Sequence, residues 1–168
     1  MAVSSNRPPP PPPEPLSPLV DAHTHLDACG CVDAADVTAA MDRASAVGVT
    51  RAVTIADDLA AARWAVQAAH WDPRVWAAVA LHPTRTAAVT EAEHAEIERL
   101  AADPRVVAVG ETGLDYHWDY SPPAAQQDSF RRHIELAHRI GKPLMIHDRD
   151  AHADVLRILR KVLGIDSF

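Results

Sequence analysis

Short apolar runs alternate with amphipathic segments from residue 19 onwards. The runs lack a regular polar alternation, as expected of parallel strands buried on both faces; they cover residues 19–22, 52–56, 75–81, 106–109 and 144–146. Between them, apolar residues recur three or four positions apart, which is typical of helices with one buried face. The pattern therefore predicts a strand followed by a helix, repeated along the chain.

Residues that favour helix starts and stops support this division. Thr90 and Glu93 have the spacing of a capping box, in which each side chain bonds to the other's backbone N–H. The other signals are caps, prolines and glycines at helix ends: Asp33 with Gly48, Asp57 or Asp58, Pro122 and Pro123 with Gly141, and a last start near Asp150.

Repeated strand–helix units predict an α/β fold with a parallel sheet and right-handed crossovers. Both an open doubly wound sheet and a TIM (β/α)8 barrel are built in this way. The first strand runs into His-Thr-His without the glycine-rich turn that binds dinucleotides, which favours the barrel. A complete barrel typically needs about 250 residues. The prediction is a partial TIM barrel of about five βα units with parallel strands, over residues 19–168.

The first 18 residues have a different composition. They include an unbroken proline run at positions 8–13, which predicts a disordered, proline-rich tail over residues 1–18. Cys29 and Cys31 have a spacing that fits neither common zinc pairs nor a redox pair, and they suit a reducing compartment. Because the chain also lacks a signal peptide and an apolar run of about 18 residues, we expect a cytoplasmic protein with no membrane partner.

Potential metal ligands follow four of the predicted strands. His23 and His25 follow the first, His82 the third, Glu111 the fourth and His147 the fifth. Barrel enzymes carry their functional groups at these strand ends. A carboxylate between imidazoles can bridge two divalent ions, so the pattern indicates a two-metal site.

Each of these residues has a structural alternative. The first two histidines could close a strand at the surface, and His82 could order the loop before proline. Glu111 could cap a turn or pair with an arginine, and His147 could simply be hydrogen-bonded. The other histidines fall on predicted helices or loops and are expected to be ordinary surface residues: His70, His94, His117, His133, His138 and His152.

Three stretches resemble the TatD-type metal-dependent deoxyribonucleases, which are amidohydrolase-like barrels. They are Asp-Ala-His-Thr-His-Leu-Asp at 21–27, Gly-Glu-Thr-Gly-Leu-Asp-Tyr at 110–116 and Pro-Leu-Met-Ile-His-Asp-Arg at 143–149. Leu-His-Pro at 81–83 and Gln127 with Phe130 fit the same pattern. The second stretch is the most specific, and the resemblance spans residues 19 to about 163.

The resemblance implies cleavage of phosphodiester bonds in DNA by metal-activated water, with two divalent ions that are Mg, Mn or Zn. His23 and His25 would bind one ion, and Glu111 would bridge to a second ion held partly by His147. On the substrate side, Arg149 would contact a phosphate. Asp115 would also serve the substrate site, orient a ligand or cap a loop.

Two later motifs of the family have no counterpart in these 168 residues. One supplies a His, and the other supplies the catalytic Asp that orients or deprotonates the attacking water. With four of six ligands present, we expect little or no turnover by this chain alone.

Two alternatives stay open. One is a non-catalytic barrel remnant or interaction protein, whose open sheet edges would self-associate or recruit a complementary chain. The other is a hydrolase of a different ester or amide, for example the ester that joins an amino acid to tRNA. The net charge of −7 favours neither nucleic acid nor a small ester.

Overall fold

Five parallel strands lie side by side in chain order and form one sheet, β1-β2-β3-β4-β5. The structure is a computed structural model that describes residues 11–15 and 17–164. The strands are β1 Leu19–Thr24, β2 Val49–Ile55, β3 Val75–Val79, β4 Val106–Asp115 and β5 Leu144–Arg149. A helix follows each strand, so the prediction of a partial TIM barrel with five βα units is confirmed.

The helices are α1 Ala34–Ala46, α2 Leu59–Trp71, α3 Glu91–Ala101, α4 Pro123–Ile140 and α5 His152–Leu163, with a 3-10 turn at Pro83–Arg85. The capping box of Thr90 and Glu93 is formed, and Gly141 ends α4 in the left-handed conformation. Asp58, not Asp57, caps α2. No helix within the described ranges is long and apolar enough to cross a membrane.

The sheet has a thick core on its helix side and a thinner apolar layer on its inner side. The larger core packs strand residues such as Ala77 and Val79 against helix residues such as Met41 and Ile97. Residues that alternate with these point the other way, and the smaller cluster contains Val53, Ile55, Ala78 and Ala108. The inner layer therefore leaves room at the strand ends for polar side chains.

Burial differs sharply between the middle and the margins of the sheet. Strands β3 and β4 are buried along most of their length, as predicted. The prediction of burial on both faces is wrong for β1 and β5, because each is an outermost strand with one neighbour; Val20, for example, is 57% exposed. Recruitment of a second copy or a complementary chain at these edges stays a prediction.

The proline-rich segment is described only in part. Residues 11–15 are exposed and form neither helix nor strand. Residues 1–10, which include the start of the proline run, and residue 16 lie outside the described residues, as do residues 165–168 at the end of the predicted barrel portion. The disordered tail and the domain boundaries therefore stay predictions.

Candidate metal centre

Polar side chains from four strand ends converge at the carboxyl edge of the sheet. His23, His25 and Glu111 offer ligand atoms that all lie within 4.8 Å of one another, and we call them the outer set. His82, Glu111 and His147 do the same and form the inner set. The structure thus brings together the four ligands that the family resemblance implies with His82, the remaining candidate at a strand end, and places Glu111 in both sets.

The outer set stands on the exposed edge strand. His23 is within β1 with its side chain 43% exposed, and its Nε2 lies 3.2 Å from Glu111 Oε2. His25 follows the strand, and the two imidazole centroids are 5.3 Å apart, so both rings lie on one side as their spacing predicts. Asp57, at the end of β2, brings Oδ1 to 3.8 Å from His25 Nδ1.

Glu111 divides its two oxygens between the sets. Oε1 lies 3.0 Å from His147 Nδ1, while Oε2 faces His23. Burial acts to raise the pKa of this carboxyl, but the hydrogen bond with His147 and the charges of His23 and His147 outweigh it. The net pKa of Glu111 is below its ordinary value. The side chain is thus an anion held between two groups of imidazoles.

Two glycines let β4 and β5 approach each other closely around Glu111. Gly113 has φ +145°, and a Cβ there would lie 2.0 Å from the His147 carbonyl oxygen. A Cβ on Gly110 would lie 2.4 Å from Met145 Cβ. The glycines of the Gly-Glu-Thr-Gly stretch therefore remove the side chains that would push Glu111 away from His147.

His147 is held on both sides of its ring. Its Nε2 lies 3.0 Å from Asp115 Oδ2, which leaves Nδ1 towards Glu111. Asp115 is buried, and its Oδ1 accepts the backbone N–H groups of His117 and Trp118, both at 3.0 Å. The hydrogen bonds with Glu111 and then Asp115 raise the pKa of His147 against the effect of burial.

This geometry suits Asp115 for orienting His147 and for capping the loop after β4. Carboxylates in this position commonly fix the tautomer and the ring direction of a metal-binding histidine. Because Asp115 lies behind the ring and is buried, direct contact with a substrate does not fit its placement. Arg149, the other predicted substrate residue, is exposed at the end of β5.

His82 also has two roles in the geometry. Its Nδ1 lies 2.7 Å from the Thr84 hydroxyl, which orders the turn after β3. Its Nε2 lies 3.2 Å from His147 Nδ1. Burial, and then the charge of His147, lower the pKa of His82, which favours the neutral ring that a metal ion requires.

His133 is not the ordinary surface residue that its place on a predicted helix indicated. It is buried in α4, its Nε2 accepts the Leu81 N–H at 3.2 Å, and its Nδ1 donates to the Ser129 carbonyl at 2.7 Å. Burial lowers its pKa to about 4. The neutral ring anchors the end of β3 directly before His82; its place three residues after the apolar Phe130 was the available signal.

Asp57 is a further candidate that the sequence did not indicate, because its position predicts only a possible helix cap. With Asp58 capping α2, the Asp57 carboxylate is left to face His25. Its position directly after a strand and one Ala was the signal. Cys29 and Cys31 are both free, and neither joins a potential ligand group among the described residues.

The donor atoms of both sets fit divalent metal ions. Imidazole nitrogens and carboxylate oxygens are ordinary ligands of zinc and of related transition ions, and carboxylates also suit magnesium and manganese. Each set offers three donors, and the outer one is partly exposed, which leaves coordination positions open as in catalytic sites. The chemistry of the donors therefore supports metal binding.

The sequence matches a known protein family over most of its length. A family described as TatD related DNase matches residues 20–165. The relative named "Uncharacterized metal-dependent hydrolase TatD" of Mycobacterium tuberculosis (strain ATCC 25618 / H37Rv) is 59% identical over 147 residues, which are 84% of this chain and 56% of the relative. The "3'-5' ssDNA/RNA exonuclease TatD" of Edwardsiella piscicida is 35% identical, over 77% of this chain and 50% of the relative.

A solved structure shares the fold. The crystal structure of YJJV, a TatD homolog from Escherichia coli K12, superposes with a TM-score of 0.77 at 26% identity, over 85% of this chain and 55% of that one. The chain therefore spans about half the length of the relatives it matches.

Proposed function

This chain belongs to the TatD related DNase family, and we propose that it carries the metal centre of a hydrolase that cleaves phosphodiester bonds in nucleic acid, DNA in particular. The observation that carries the proposal is the position of Glu111, whose two oxygens serve two sets of imidazoles. A carboxylate shared in this way can bridge two divalent ions, as in two-metal sites that cleave phosphate esters.

In this proposal each residue has a defined task. His23 and His25 would hold one ion, His147 would help to hold a second, and Glu111 would serve both positions. Divalent ions bound there would lower the pKa of water and stabilise the charge that develops on the phosphate. Asp115 keeps His147 Nδ1 directed at the site.

The substrate is held locally in this proposal, because the chain as a whole is acidic. Arg149 lies exposed two residues beyond His147, and its guanidinium can fork onto two phosphate oxygens. The relative named as a single-stranded DNA and RNA exonuclease supports a nucleic-acid substrate. The full reaction would also use the His and Asp of the later family motifs, which the 168 residues do not contain.

The test combines metal binding with catalysis. Calorimetric titration of Mn²⁺ into the wild-type chain should show binding that Glu111→Gln abolishes and that Glu98→Gln, an exposed α3 residue paired with Arg139, leaves unchanged. Equal binding by wild type and Glu111→Gln would contradict the metal centre. The same proteins are then incubated with a DNA oligonucleotide and Mg²⁺, Mn²⁺ or Zn²⁺.

The substrate class is tested in the same assay with two kinds of ester. We expect the 168-residue chain to hydrolyse its substrate slowly or not at all. Any hydrolysis should be specific for the phosphodiester and should be lost in His23→Ala. Hydrolysis of an aminoacyl ester without hydrolysis of DNA would instead favour the alternative substrate.

A second proposal follows from the open edges of the sheet. Among residues 11–15 and 17–164, strands β1 and β5 each pair with one neighbour, and β1 is exposed along most of its length. Exposed edge strands favour pairing with another polypeptide. We expect sedimentation to show association that increases with concentration, whereas a monomer at all concentrations would contradict the proposal.

A further inference from the structure

Two aromatic rings are stacked at the surface in the loop that follows β4. Trp118 is 44% exposed and Tyr120 is 64% exposed. Their ring centroids lie 5.6 Å apart with planes only 11° from parallel. We call this pair the aromatic platform. The two adjacent rings form a small apolar patch among polar residues, and exposed apolar patches of this kind mark interaction sites.

The platform is joined to the metal centre by one carboxylate. Asp115 Oδ1 accepts the Trp118 N–H, while its Oδ2 holds His147. The guanidinium of Arg149 lies 5.6 Å from the Trp118 ring centroid. The rings, a candidate phosphate contact and a candidate metal ligand therefore lie within one small region of the surface.

The loop that carries the platform is fixed at both ends. Gln126 is buried in α4, and its side-chain oxygen accepts the Asp115 N–H at 2.7 Å. Its amide nitrogen donates to the carbonyls of Asp115 and Ser121, both at 2.9 Å. The backbone on either side of Trp118 and Tyr120 is thus tied to the core, so the rings are presented on an ordered support.

We propose that the aromatic platform binds an unpaired base of a single-stranded nucleic acid beside the metal centre. A base is flat and stacks on an exposed aromatic face whatever its sequence. Acidic residues lie near the rings, with Asp150 Oδ2 3.3 Å from His117 Nδ1 and Asp119 in the loop itself, so a purely electrostatic phosphate groove does not fit. Stacking by a base does.

The choice of single strands follows from the same geometry. Bases in a duplex are already stacked on their neighbours and cannot reach a surface ring without being unpaired. An unpaired base on the platform would leave its phosphate near Arg149. This inference rests on the proposed function, and it adds the two residues that would hold a base of the single-stranded substrate that the exonuclease relative is named for.

The test measures binding and does not depend on turnover. Fluorescence anisotropy of a labelled twelve-residue oligothymidine is followed with the wild-type chain and with Trp118→Ala, Tyr120→Ala and the double variant, in Mg²⁺. We expect roughly tenfold weaker binding in each single variant and a larger loss in the double one. Trp118→Phe should retain most of the affinity, because its ring still stacks.

Trp71→Ala is the matched control, since Trp71 is also exposed, at 36%, but lies at the end of α2. Thermal unfolding of every variant shows whether the fold is retained. An abasic oligonucleotide of equal length should bind wild type about as weakly as oligothymidine binds the double variant. A duplex should bind weakly too.

Each result has one meaning for the platform. Absence of oligothymidine binding by wild type, or equal affinity of wild type and the double variant, would overturn the inference, as would abasic binding equal to that of oligothymidine. Binding that depends on the rings, together with equal Mn²⁺ binding by wild type and Glu111→Gln, would support the platform and contradict the proposed function. Mn²⁺ binding that Glu111→Gln abolishes, together with oligothymidine binding that does not depend on the rings, would do the reverse.

Discussion

The outer and inner ligand sets use similar donor atoms but are built very differently. In the outer set, His23 lies on an edge strand, and its side chain pairs with the shared Glu111. In the inner set, His147 lies between Glu111 and the buried Asp115, and it also contacts His82. This difference indicates that the orientation of a candidate metal ligand depends on the residues that hydrogen-bond to the other side of its ring.

The inner set should therefore bind an ion with little rearrangement, because its rings are already positioned. The outer set should be weaker in this chain, since its rings are more exposed and its strand has an open side. Four changes can break or sharpen this difference, and they are given from the largest expected effect to the smallest.

Gly113→Ala should remove the close approach of β4 and β5 on which the inner set depends. The new Cβ would collide with the His147 carbonyl at a positive φ, so we expect a loss of more than about 3 kcal/mol in the free energy of unfolding. Gly164→Ala is the control, because it has φ +66° but open space around it; it should cost about 1 kcal/mol. Urea unfolding measures both, and equal losses would contradict the steric explanation.

His147→Ala should lower metal affinity far more than His23→Ala does. We expect a loss of more than about 100-fold, since even residues that only orient a ligand contribute about 10- to 100-fold. Titration with Mn²⁺ measures the difference. If the two substitutions lowered the metal affinity equally, the residues that support the inner set would give it no advantage in metal binding.

Asp115→Asn tests the support without removing a ligand. Asn can still accept the loop N–H groups but provides no charge behind His147, so we expect about 10- to 100-fold weaker metal binding. Asp119→Asn, in the same exposed loop, is the matched control. An unchanged affinity in Asp115→Asn would show that the carboxylate serves the loop alone.

Protonation of His133 makes the stability of the fold depend on pH. This residue anchors Leu81, directly before His82 of the inner set. Its pKa is about 4 in the folded chain and about 6.5 when unfolded, so the unfolded state binds the proton more readily. The contribution is present above about pH 6.5 and is lost as the pH falls towards 4. We expect about 1 kcal/mol less stability at pH 5.5 than at pH 7 from this group.

The measurement compares unfolding of wild type and His133→Gln at several pH values. The variant lacks the titrating ring, so its stability should fall less on acidification than that of wild type. Parallel curves for the two proteins would rule out a role for His133 in the acid sensitivity.

Topology explains why the sequence could predict most of the ligand positions. His23, Glu111 and His147 follow apolar runs, and the carboxyl ends of parallel strands share one edge. The support behind His147 could not be predicted in this way. It needs β4 to continue to Asp115, six residues beyond the apolar run that ends at 109.

The sequence also could not predict contacts between distant parts of the chain. The burial of His133 depends on a backbone N–H 52 residues away, at Leu81. Helical spacing shows that His133 shares a face with Phe130, but no local pattern shows which hydrogen-bond donor that face will contact. Asp57 was assigned to the neighbouring cap for the same reason, because the partner that distinguishes it, His25, lies on another strand.

In the proposed two-ion centre, the sharing of Glu111 between the sets would make the binding of the two ions a linked equilibrium. Any factor by which an ion on the inner side changed affinity on the outer side would apply equally in reverse. Ordering of the Glu111 carboxylate within the inner set would leave less to order when the outer set binds. We therefore expect a metal titration to fill the position at His147 first and the position at His23 second.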